Sequence, residues 1–180
     1  MRLFDSKFRE ILGSQFLSII GGLLAGTLLA VYTDQILLLP GIFLILPGLL
    51  EMRGNISGTF ASRLSSGLYL GVINPKKIKT HLIKGNLIAT FFLACIVSSV
   101  LGCIAFLFNY IMLGIVSFKI LFLPLIAGLI SNLIEIPLTL FLTIFLFKKG
   151  YDPDDIMGPF ITSTGDIISI LSLLIGIVIL

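Results

Sequence analysis

Long apolar runs separated by short polar breaks set the pattern of the chain. Windows at about 11–32, 36–72, 85–112, 120–147 and 156–180 each reach the roughly 20 residues that a bilayer crossing needs. The pattern predicts an all-α integral membrane protein of five transmembrane helices. The connections are short, so 1–180 reads as a single domain with no room for a soluble one.

Within the windows, polar residues fall on helical faces. In the second, Pro40, Pro47 and Gly48 predict a break near 47–54. Past it, Glu51, Asn55, Thr59, Ser62 and Ser66 recur every third or fourth residue and share one face. Lipid rejects such a face, which leaves two readings: a water-filled path, or a hydrogen-bonding seam between helices. Arg53 lies deep and is expected to pair with Glu51, whereas Arg63 can snorkel to the interface. The fourth window repeats the motif with Asn132, Glu135, Thr139 and Thr143, and Pro137 predicts a kink. Glu135 is either a cation ligand or a neutral carboxyl bonded in a seam. The first window carries Gly22 and Gly26, a small-xxx-small pair expected to admit another helix closely.

Between the second and third windows, Asn74 as cap and Pro75 at the first helical position predict a short basic amphipathic helix over 75–84, lying in the membrane interface. His81, the only histidine, reads as a solvated residue of that helix. Cys95 and Cys103 sit too far apart along one helix to pair and read as packing residues.

Composition agrees with the pattern. At 57% hydrophobic and 12% charged residues, with mean hydropathy +1.17, the chain cannot cover a soluble globule with polar surface. The net charge of +3 matters through its placement. Arg2, Lys7 and Arg9 precede the first window, Lys76, Lys77, Lys79 and Lys84 follow the second, and Lys148 and Lys149 follow the fourth. The other breaks hold at most Lys119, so the N-terminus is expected in the cytoplasm and the C-terminus outside, in a multi-pass protein of the cell membrane. Nucleic acid binding gains no support.

The chemistry concentrates at the end of the chain. Asp166 falls about 21 Å along a helix from Asp152, near the bilayer midplane. An Asp there costs roughly 2.5–3.5 kcal/mol, so it is expected to face a bundle interior, an aqueous cavity or a cation. Pro159 cannot donate to Asp155 and frees that carbonyl, while Thr162, Asp166 and Ser169 form a polar face. Asp152, Asp154 and Asp155 read as a helix cap and first turn, or as an ion-attracting mouth.

Two stretches, PGLLEMRGNISGTFASRLSSGLYLG (47–71) and DPDDIMGPFITSTGD (152–166), resemble the membrane domain of the MgtE family of magnesium channels and transporters. They are also similar to the related animal solute carriers of family 41, which hold two tandem copies of that domain. The resemblance implies a five-helix subunit that dimerises, with a cation path at the interface lined by the second and fifth helices. By it, Asp166 matches the pore aspartate, Asn55 the asparagine of the second-helix G-N motif, and Thr162 the residue one turn before the aspartate. No counterpart of the bacterial members' cytosolic regulatory domains lies in these residues, and one copy of the domain is present, so two chains are expected to supply the pore.

Mg²⁺ prefers oxygen ligands in octahedral geometry and dehydrates reluctantly, which suits a carboxylate from each chain with hydroxyls, amides and water. The candidate metal ligands are therefore Asp166, Asn55, Thr162, Thr59, Glu135 and Glu51. The expectation is divalent-cation transport, with Mg²⁺ as cargo rather than cofactor, a homodimer embedded in lipid, and no enzymatic activity. The alternatives are an enzyme that uses the Asp152 cluster to hold Mg²⁺ on a lipid diphosphate, and a noncatalytic membrane subunit.

Overall fold

The computed structural model describes residues 6–180, so Arg2 lies outside the described part. The chain folds into α1 (Ser6–Val31), α2 (Thr33–Leu37), α3 (Ile42–Tyr69), α4 (His81–Leu113), α5 (Phe118–Lys149) and α6 (Pro153–Ile179), with no strand among the described residues. By length and composition, α1, α4, α5 and α6 are each apolar enough to cross a membrane. α3 is as long, at 28 residues, but carries Glu51, Arg53 and Arg63. It is also the most enclosed helix. Ile45, Leu49, Phe60 and Leu64 are buried, and pack with Ile120, Leu123 and Leu173 towards one end and with Ile83, Ile136 and Ile144 towards the other. Burial of such side chains stabilises the bundle only where lipid does not solvate them equally well, so close packing and polar contacts fix the arrangement.

Ring and polar contacts give the helices their directions. Tyr69 meets Phe147 edge-on at 5.2 Å, which joins the ends of α3 and α5. Lys7 Nζ lies 3.5 Å from Asp152 Oδ2, which joins the starts of α1 and α6 at that same end. At the opposite end, Phe106 stacks on Phe118 at 5.9 Å, and Asn109 Nδ2 donates to Ile115 O at 3.1 Å. The basic segments around Lys7, Lys76 and Lys148 therefore gather at one end of the bundle.

Several expectations change. The second window breaks at 38–41, before Pro47 rather than across 47–54. Gly41 takes φ +83 there, and a Cβ on it would overlap Asn109 Oδ1, so the chain turns where only glycine fits both the backbone and the neighbour. Pro47 then sits early in a continuous α3, where losing one hydrogen bond does not end the helix. The predicted interfacial helix over 75–84 is absent. Asn74 Oδ1 accepts from Lys76 N at 2.9 Å to form a turn, and helix begins only at His81, capped by Thr80. Lys76, Lys77, Ile78 and Lys79 are all exposed, so this stretch buries no apolar face that would favour a helix over a solvated turn.

On α1 the close face lies one residue away from the predicted pair. Gly21 and Ala25 pack inwards, Gly21 against Ser163 of α6, while Gly22 and Gly26 meet nothing within 4 Å. The carbonyl of Asp155 freed by Pro159 finds a partner as expected of an orphaned acceptor. Ser14 Oγ of α1 lies 3.2 Å from it, and shares its proton with Ile11 O at 2.8 Å. Cys103 is exposed and Cys95 half-buried, both as free thiols, so Cys103 is not a packing residue.

Candidate ion site

Arg53 occupies the point where α3, α5 and α6 converge. Its side chain has no solvent exposure, and its guanidinium is held by both deep acids of the bundle. Nη1 donates to Glu135 Oε1 and, at 3.2 Å, to Ile161 O. Nη2 donates to Asp166 Oδ1 at 3.0 Å and reaches Thr162 O at 3.5 Å. A buried arginine without such partners would be prohibitively costly, and two carboxylates with two carbonyls supply the compensation. Room for the guanidinium comes from Gly165, where a Cβ would overlap Arg53 Nη1 and Cζ and Glu135 Oε1.

The expected pairing of Arg53 with Glu51 does not form. Residues two apart on a helix point to different sides, so Arg53 turns into the bundle and Glu51 turns out of it. Glu51 Oε1 accepts instead from Asn55 Nδ2 at 3.1 Å, one turn along the same face. All five residues of the α3 stripe, Glu51, Asn55, Thr59, Ser62 and Ser66, are exposed, so the stripe read from the sequence faces outwards from the single chain. The stripe of α5 behaves oppositely: Asn132, Glu135, Thr139 and Thr143 are all buried inside the bundle.

Between α3 and α6 the outward face opens into a cavity of about 470 Å³, whose walls include Pro47, Glu51, Asn55, Gly158, Thr162 and Asp166. Asp166 keeps 24% side-chain exposure and so reaches this cavity while holding Arg53 on its other side. Thr162 is exposed, with Oγ1 donating back to Gly158 O at 3.0 Å and its oxygen lone pairs left for other donors or ions. Thr59 lies on the same outward face but outside the cavity lining. Glu135 lies behind Arg53, not on the cavity, and its Oε2 is buried without a partner.

Four of the six candidate ligands, Glu51, Asn55, Thr162 and Asp166, are therefore brought to one cavity. Its polar lining offers carboxylate, amide and hydroxyl oxygens and no thiol or imidazole, oxygen ligands of the kind a hard cation takes, together with the guanidinium of Arg53, whose charge opposes a cation there. Among the described residues no three His, Cys, Asp or Glu side chains gather closely enough to enclose a metal ion. The cavity of one chain therefore suits an ion that keeps much of its water. Asp152 serves α6 as its N-cap, accepting from Asp154 N at 3.2 Å, and spends its second oxygen on Lys7.

The residue that the sequence reading undervalued is Arg53. The signal was available: charges placed deep in a membrane bundle come as compensating sets, and one arginine with two acids on other helices is such a set.

Comparison with known proteins bears on the same segments. Residues 46–176, more than half of the chain, match the MgtE family, described as a divalent cation transporter. The chain is similar to solute carrier family 41 member 2 of Homo sapiens, 32% identical over 140 residues, covering 72% of this chain and 23% of that protein. It is also similar to the Gallus gallus protein of the same name, 29% identical over 133 residues with the same shares covered. The chain thus spans about a quarter of the length of the curated relatives it matches. No solved structure matches it. Every cavity residue named above lies inside the matched span, and this chain belongs to the MgtE family of divalent cation transporters, multi-pass membrane proteins rather than enzymes.

Proposed function

We propose that this protein carries a divalent cation, Mg²⁺, across the cell membrane along a path formed where two copies bring their α3 and α6 faces together. The observation that carries the reading is Asp166, a carboxylate deep in the bundle that opens into a cavity shared with Glu51 and Asn55. The exposed stripe of α3 supports the homodimer: a line of Glu, Asn, Thr and Ser is a poor surface for lipid, and a second copy would cover it and enclose the path. In this reading α3 is the fifth crossing, its charges turned to the path and to the bundle interior. The end that gathers Lys7, Lys76 and Lys148 then lies in the cytoplasm, with the N-terminus. Two carboxylates facing each other across a two-fold axis repel unless a cation lies between them, and a hydrated Mg²⁺ satisfies both through its water shell. A lipid-diphosphate enzyme is disfavoured, because Asp152 is committed to capping α6 and to Lys7.

Liposomes holding the purified protein and an entrapped Mg²⁺ indicator test the reading. Uptake above that of empty liposomes is expected, and its absence would remove the transport function. In the same assay Glu51→Gln is expected to lower uptake about tenfold at limiting Mg²⁺, from one lost charge-assisted contact. Its thermal unfolding should match that of the wild type, because the side chain is exposed. An unchanged uptake takes Glu51 out of the path.

A further inference from the structure

Resting on the transport reading above, we infer that Arg53 is a tethered counter-ion: it holds Asp166 while the path is free of metal and passes wholly to Glu135 when a divalent cation takes that carboxylate. The guanidinium and the ion compete for the same group. Arg53 Nη2 is 3.0 Å from Asp166 Oδ1, and Asp166 is also the deep carboxylate that opens into the cavity. A cation arriving there meets an acid already engaged by a positive charge, and two cations on one carboxylate repel.

The place to which Arg53 can retreat is built into the site. In the bridging arrangement Glu135 Oε2, an acceptor, is buried without a hydrogen bond of its own, with the Ser57 hydroxyl near that carboxyl. The other oxygen, Oε1, already accepts from Arg53 Nη1. A carboxylate that meets Nη1 and Nη2 end-on makes two parallel bonds, and here that fork would form when Nη2 leaves Asp166, keeping the Nη1–Oε1 bond and giving Oε2 its partner. The bridging state therefore has a hold on Asp166 and an acid oxygen of Glu135 without a hydrogen bond, and the retreated state has a full fork on Glu135 and a free Asp166. An element with two such arrangements, whose balance the ion tips by binding only one, is a population switch. Glu135 in this account never touches the ion. It is the positioning residue that receives the arginine, which explains why a buried acid sits behind the path rather than on its wall. Gly165 leaves the space in which the guanidinium sits between its two acids.

Two variants in the liposome assay separate this role from a merely structural one, because they move the half-saturating Mg²⁺ concentration in opposite directions. Arg53→Gln with Glu135→Gln removes both charges of the pair, keeps hydrogen-bonding amides in the interior and leaves Asp166 unengaged. Its half-saturating concentration is expected to fall about ten- to hundredfold, the equivalent of one released charge-assisted bond. Arg53→Lys keeps the positive charge but cannot fork onto both oxygens of Glu135, so the retreat is weakened and half-saturation should rise about threefold or more. A shift of both variants in the same direction, or no shift in either, overturns the switch. Should the double variant fail to fold, Arg53→Lys with unchanged or lower half-saturation overturns it alone. Absence of uptake by the wild type would instead remove the transport reading, and the switch with it, and so is distinguishable from uptake that ignores Arg53.

Discussion

Replacing Asp166 with Asn is expected to lower Mg²⁺ uptake into liposomes at least about a hundredfold, equivalent to about 2.7 kcal/mol of lost ion stabilisation. The substitution keeps the size and one acceptor oxygen, so Arg53 Nη2 retains a partner at the position of Oδ1. Only the charge is removed. A hard cation that stays hydrated is drawn into a low-dielectric bundle by net charge more than by any single contact, and an amide cannot supply it. The fold should tolerate the change. Arg53 faces both Glu135 and Asp166, one positive group against two negative ones, so neutralising one acid leaves a balanced pair. Thermal unfolding in detergent is therefore expected at or above the wild-type midpoint. Uptake at the wild-type level would take Asp166 off the pathway, and a strongly lowered midpoint would mean that its charge holds the bundle together.

The largest effect on stability is expected from Gly165→Ala. Helix propensity alone favours alanine by about 0.5–1 kcal/mol, so an exposed site would gain from the exchange. At 165 the new methyl would occupy the space of Arg53 Nη1 and Cζ and of Glu135 Oε1. The backbone of α6 cannot back away, because Gly176 packs tightly on Leu123 and Ile161 is buried against α3. The guanidinium must leave, and separating a buried ion pair costs about 3–5 kcal/mol. That exceeds the propensity gain several times over. A clearly lowered unfolding midpoint is expected, and a raised one would show that Arg53 does not lie against Gly165.

Much of this architecture was legible in the sequence, because bilayer thickness fixes helix length and a polar face within an apolar helix betrays itself by spacing. The windows became long helices, and the stripe from Glu51 to Ser66 faces one way. The carbonyl freed by Pro159 needed a donor from elsewhere and has Ser14 Oγ. What spacing could not give was the partner of each face. Gly22 and Gly26 satisfy a close-packing motif as well as Gly21 and Ala25 do, and only the docking of α1 on α6 selects the latter. Glu135 and Asn55 sit on equally regular stripes, yet one turns inwards and the other out. From the sequence Asp166 needs a bundle interior, an aqueous cavity or a cation around it, and the chain supplies a cation of its own in Arg53, 113 residues earlier in the sequence. A pairing over that distance follows from how three helices pack, which no local pattern encodes. The break falls at 38–41 rather than near 47–54 for a similar reason: Pro47 is the stronger local signal, but the contact of Gly41 with Asn109 decides where the chain turns.

The central claim is that the groove between α3 and α6 carries the ion past Asp166, and anomalous diffraction from crystals of the dimer soaked in Mn²⁺ tests it most directly. Mn²⁺ takes the same oxygen ligands as Mg²⁺ and scatters strongly enough to be placed. The account predicts a peak in that groove within a water's reach of Asp166 from both protomers, with Arg53 drawn back onto Glu135. A dimer in which α3 and α6 face lipid, with no peak near Asp166 and Arg53 still bridging both acids at saturating Mn²⁺, would contradict it.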